Sequence, residues 1–114
     1  MLPNWITGLF LTDRVEEFSN TIASRSQSAI WNRVAHQVAS LGAAEARGYI
    51  RARAAAVIHQ ETNRLITEVG SRFESRRRRL TESATEKVIP WILTQAQLLR
   101  ERRLQSAPAK RLAA

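Results

Sequence analysis

Residues 43–80 contain no proline and only two glycines, Gly48 and Gly70, and they carry an eleven-residue rhythm that suits a long helix. Ile58, Val69, Leu80 and Trp91 fall eleven apart, Ala54 and Leu65 form a second track, and Phe73 and Ala84 a third. Eleven residues over three turns is about 3.67 per turn, close enough to the α-helical value to keep one stripe aligned on a nearly straight rod. The spacing therefore predicts a helix over 43–80 with Ile58, Leu65, Val69, Phe73 and Leu80 as its packing stripe.

The flanking sequence predicts two more helices. Thr12 is a good N-cap, and Asp13, Glu16 and Glu17 follow at the positive end of the helix dipole. From there Val15, Phe18, Ile22, Ala29 or Ile30, Val34, Val38 and Leu41 recur at helical spacing, and Gly42 is a stop signal. A polar turn over 24–28 is expected to fray or to face a wet seam. Beyond Leu80, Ser83 and Glu86 form a capping-box pattern, and Pro90 cannot supply an interior hydrogen bond. A kink or break near residues 81–90 is therefore expected, with a final helix carrying Trp91, Ile92, Leu98 and Leu99.

No strand pattern exists, so the expected fold is all-α. It is an elongated antiparallel helical hairpin (helices about 13–41 and 43–80) with a third C-terminal helix, about 84–104, and hendecad-like packing. Residues 12–104 make a single helical domain, preceded by a hydrophobic segment, 1–11, and followed by a flexible basic tail, 105–114. Only 6% of the chain is aromatic, so a hairpin with an alanine-rich seam would leave apolar surface to be covered by copies or by a larger complex.

Charge supplies the sharpest functional signal. The chain carries a net +8, and residues 43–80 hold nine arginines against four glutamates. Arg76, Arg77, Arg78 and Arg79 are consecutive, and with Arg72 they form a basic collar that sequence alone nominates as a nucleic-acid or anion-binding site. The bland alternative is a solvated cap on a helix C-terminus, where positive charge is favourable. A second candidate contact is the N-terminal segment, where Trp5, Ile6, Leu9 and Phe10 would share one helical face. That face suits an internal lid, a membrane surface or a partner's groove, although no lysine or arginine accompanies it.

Catalytic chemistry finds no support. There is no cysteine, the two histidines stand alone at His36 and His59, and no Glu-x-x-His, P-loop, dinucleotide or nucleophile-elbow pattern occurs. No catalytic residue, metal ligand, cofactor or small-molecule substrate is expected. The stretch 34–53 has the outline of a helix-turn-helix, but Gly48 and Arg51 stand where its second helix would need core residues. Lacking a secretory leader and an apolar run of membrane-spanning length, the chain reads as cytoplasmic. The expectation is a non-enzymatic assembly or scaffold protein, a homo-oligomer or a subunit of a larger complex, that docks a basic helix end on a polyanion, nucleic acid first. The alternative is a peripheral membrane or partner-tethering subunit anchored by its N-terminus.

Overall fold

A computed structural model describes the backbone of residues 4–113 and the side chains of residues 14–105. Three α-helices account for almost all of it: α1 (Asn4–Val38), α2 (Ala43–Val69) and α3 (Arg77–Ala113), with a 3₁₀ segment, Ser71–Arg76, between the last two. Among the described residues there is no strand. All three helices pack against one another, in a rod of 75 × 24 × 22 Å.

Cross-helix contacts fix the directions. Glu16 and Lys87 pair early in α1 and α3, whereas Arg100, late in α3, reaches the carbonyls of Ala39 and Leu41 just past the end of α1. These two helices are therefore parallel. Arg51 pairs with Glu86 at 2.9 Å while Asn63, further along α2, meets Arg77, so α2 runs opposite to α3.

The core is a column of medium and small side chains. Ile22, Ile30 and Val34 from α1, Ile50, Ile58 and Leu65 from α2, and Leu80, Val88 and Ile92 from α3 are all buried. Of the expected stripe, Ile58, Leu65, Phe73 and Leu80 are buried and Val69 is half-buried. Ser19, Ser26 and Thr62 are also fully buried, each hydroxyl donating to the carbonyl four residues earlier at 2.6 to 2.7 Å. That internal bond removes the desolvation penalty a buried hydroxyl would carry. The turn over 24–28, expected to fray, is regular helix with Ser26 at its buried centre.

The breaks fall elsewhere than the sequence suggests. The helix expected over 43–80 stops at Val69, and Gly70 takes φ 116° and ψ 152°, a conformation open to glycine and hostile to other residues. Its N–H still donates to the Ile66 carbonyl at 2.9 Å, closing the last turn of α2 before the chain reverses. Conversely, no break occurs over residues 81–90, because α3 is helical straight through Pro90. Pro90 is exposed, where a missing intrahelical bond is easily met by water, and its neighbours Val88, Ile89 and Ile92 are fully buried. Nor does α1 start at Thr12: its backbone is helical from Asn4. At the other end the α3 backbone continues past Leu104 to Ala113, where a flexible tail was expected.

Candidate functional site

The arginine collar is organised by the reversal at Gly70. Downstream of it the 3₁₀ segment turns Phe73 inward, where its ring meets that of Phe18 edge-on at 5.0 Å and 78°. A buried aromatic pinned this way fixes the rotation of the residues around it. Arg72 lies outward with its guanidinium 5.5 Å from the Phe73 ring centre. The arginine run therefore sits at the outer corner of the α2–α3 turn, whereas the sequence placed it at the end of an unbroken helix.

Within the collar the arginines divide into two groups. Arg77 is held by Glu74 through two hydrogen bonds, Nε to Oε1 at 2.7 Å and Nη2 to Oε2 at 2.9 Å, and also donates to the Asn63 side chain. The Arg77 guanidinium pulls the Glu74 carboxyl below the ordinary glutamate range, and Glu74 in turn raises Arg77. Arg78 pairs with Glu82 at 3.0 Å from a side chain that is 90% exposed. Arg72, Arg76 and Arg79 have no ion-pair partner among the described residues. Arg76 is half-buried and the other two are exposed.

Arginines along the body of the rod are treated differently. Arg25 pairs with Glu68 at 3.1 Å, Arg51 with Glu86 at 2.9 Å and Arg64 with Glu61 at 3.2 Å. The sequence spacing of Glu68 and Arg72 suggests an i,i+4 pair, but Gly70 interrupts the helix between them and Glu68 reaches across to α1 instead. Arg53, also on the body, has no ion-pair partner among the described residues and lies 5.3 Å from the Tyr49 ring centre, so the middle of the rod holds one unneutralised arginine where the α2–α3 end holds three.

Other features carry less chemistry. A groove of about 290 Å³ lies between α2 and α3, floored by Ala55 and Ile58 and edged by His59, Thr81, Glu82 and Thr85. His36 and His59 are both exposed and far apart in the chain. Among the described residues no group of three histidine, aspartate or glutamate side chains could hold a metal ion, and no helix is long and apolar enough to cross a membrane. The side chains of Trp5, Ile6, Leu9 and Phe10, the candidate anchor, lie outside the described residues.

One structurally important residue had no sequence signal. Arg100 donates Nε to the Ala39 carbonyl at 2.6 Å and Nη2 to the Leu41 carbonyl at 2.9 Å, capping the C-terminal end of α1 from α3. A cation at that position also meets the negative end of the helix dipole. Only the parallel placement of α1 and α3 brings these groups together. The chain matches no protein-family model, no curated protein and no solved structure.

Proposed function

We propose that this protein is a non-enzymatic helical scaffold, acting in the cytoplasm as an oligomer or as a subunit of a larger assembly, which docks its α2–α3 end on a polyanion, double-stranded nucleic acid in particular. The observation that supports this reading is the clustering of Arg72, Arg76 and Arg79, all without ion-pair partners among the described residues, within eight residues at one turn, whereas Arg25, Arg51 and Arg64 on the flanks are paired. Unpaired guanidiniums clustered at a convex corner repel one another, and phosphate relieves that repulsion while displacing condensed counterions. Arg78, almost fully exposed, can add a contact by releasing Glu82. Base reading has no support: the aromatic residue in the collar, Phe73, is buried, so contacts would go to the backbone and be insensitive to sequence.

Two finer readings accompany this one. Within α2 the pairs Ala54/Leu65 and Ile58/Val69, and within α3 the pair Leu80/Trp91, fall eleven apart and are buried or half-buried, which supports hendecad-like packing inside each helix and not across the Gly70 reversal. Leu98 and Leu104, 41% and 71% exposed toward the end of α3, support a protein contact there.

The test is duplex binding by fluorescence anisotropy against salt, with R72Q/R76Q/R79Q beside the parent. Three phosphate contacts give a slope of log K against log salt of about −2.7, so the parent loses roughly 40-fold between 50 and 200 mM salt. The triple variant is expected to lose that slope. Equal binding by the variant at low salt refutes the nucleic-acid reading, and release from anionic vesicles on deleting residues 2–11 would favour the membrane-tethering alternative.

A further inference from the structure

The opposite end of the rod carries a second set of arginines without ion-pair partners. Arg33 lies near the C-terminal end of α1, Arg47 near the N-terminal end of α2, and Arg102 in α3. All three are exposed, and none has an ion-pair partner among the described residues. The Arg100 bonds to the Ala39 and Leu41 carbonyls place residues 100–105 beside the α1–α2 turn, so α3 delivers Arg102 to the end where the other two stand. Two carboxylates share this end. Glu45 sits in the first turn of α2, where it complements the helix dipole, and Glu101 accepts a 3.4 Å hydrogen bond from Gln97. Neither is paired with an arginine.

We infer that the rod is bivalent: it holds one duplex at the α2–α3 end through Arg72, Arg76 and Arg79, and a second at the α1–α2 end through Arg33, Arg47 and Arg102. This rests on the polyanion reading above and extends it from docking to bridging. The two clusters are separated by the length of α2, 27 residues or about 40 Å. Between them Arg25, Arg51 and Arg64 are each matched by a glutamate, and Arg53, which has no ion-pair partner among the described residues, lies 5.3 Å from the Tyr49 ring centre, so the body of the rod offers phosphate one uncompensated arginine against three at each end. A polyanion lying along the rod would cross that largely balanced stretch. Two polyanions meeting its ends avoid it.

Stoichiometry decides the matter. An eight-base-pair hairpin duplex is about 27 Å long and cannot span both clusters. Titrated into the full chain at low salt, it is expected to saturate at two hairpins per chain in the parent. R33Q/R47Q/R102Q and R72Q/R76Q/R79Q are each expected to saturate at one, and the six-fold variant at none. Circular dichroism establishes that each variant keeps its helices, and the matching arginine-to-lysine sets, which keep the charge, are expected to restore two. With long duplexes, the parent should retain a labelled duplex on beads that carry an unlabelled one, and either triple variant should lose at least ten-fold of that retention. Saturation at one hairpin per parent chain, abolished by the R72Q/R76Q/R79Q set alone, overturns bivalency and leaves the proposed function standing. Bridging by self-association would also give one hairpin per chain, and so overturns it too. Loss of all binding in either triple variant indicates one composite site and overturns it as well. Binding that no variant alters overturns both readings.

Discussion

Gly70 and Gly48 stand 22 residues apart in a stretch that reads as one helix, yet alanine is expected to act in opposite directions at the two. At Gly70 the backbone sits at φ 116° and ψ 152°, and a Cβ there would meet nothing within 4 Å. The penalty for Gly70→Ala is therefore conformational, about 1–3 kcal/mol for an L-residue held in that region. Gly48 lies within α2 and is exposed, again with nothing within 4 Å of an added Cβ. Gly48→Ala should stabilise by about 0.8–1.0 kcal/mol through helix propensity alone. With a urea m-value near 1.5 kcal/mol/M, the midpoint should fall by roughly 1–2 M for Gly70→Ala and rise by about 0.6 M for Gly48→Ala. Equilibrium unfolding followed by circular dichroism at 222 nm reads both. If α2 ran unbroken into α3, Gly70 would be an interior helical glycine and both variants would gain stability. A rise in midpoint for Gly70→Ala therefore refutes the reversal, and with it the placement of α3 along α1.

Three further outcomes are expected. Arg100→Met removes two charge-assisted bonds to the Ala39 and Leu41 carbonyls and should lower stability by about 1.5–3 kcal/mol, with Arg100→Lys recovering only part, as read by urea unfolding. Because Arg77 depresses the Glu74 pKa, their contact is present above the ordinary glutamate value of 4.5 and is lost as pH falls through the lower folded value. Glu74→Gln at neutral pH should imitate that loss, freeing Arg77 and tightening duplex binding in the anisotropy assay, and Arg77→Ala should return the Glu74 titration to the ordinary range by carbon-detected NMR. Glu61 buries Oε2 without a hydrogen-bond partner while Oε1 meets Arg64 at 3.2 Å, so Glu61→Met should raise the thermal midpoint, by an amount corresponding to about 1 kcal/mol.

Much of the core could be read from spacing alone, since an apolar residue every three or four positions marks a buried helical face whichever neighbour covers it. Ile22, Val34, Ile58, Leu65 and Leu80 all follow from that rule. The reversal at Gly70 could not, because in sequence a glycine inside a helical pattern carries a smaller penalty than a proline, and Pro90 drew the expected break toward itself. What decides between them is tertiary. Turning at Gly70 lets Leu80, Ala84, Val88 and Ile92 bury against α1 and α2 while Phe73 meets Phe18. Pro90 loses little by facing water. The collar shows the same division: its five arginines were evident, but which are neutralised depends on partners that topology supplies. Local spacing indicates Arg78 with Glu82, whereas Arg77 with Asn63 and Arg25 with Glu68 require α2 to be flanked by both neighbours.

The third helix also changes the case for self-assembly. A two-helix hairpin with so few aromatics would expose its seam, and that exposure was the reason to expect a covering partner. Here α3 returns along both helices and closes the column, and buried Ala46, Ala54, Ala84, Ser19, Ser26 and Thr62 let the backbones approach within a cross-section of 24 × 22 Å. A narrow rod needs small side chains at its axis, so the low aromatic content is a property of the packing and no sign of an incomplete core. What remains exposed among large apolar side chains, Leu98 and Leu104, lies at one end, beside Arg102. Any protein contact made by the described surface is therefore expected at the tip of α3 and not along the flank. Arg53 apart, the described arginines of the flanks keep their paired charges, and the other unpaired ones gather where the rod ends.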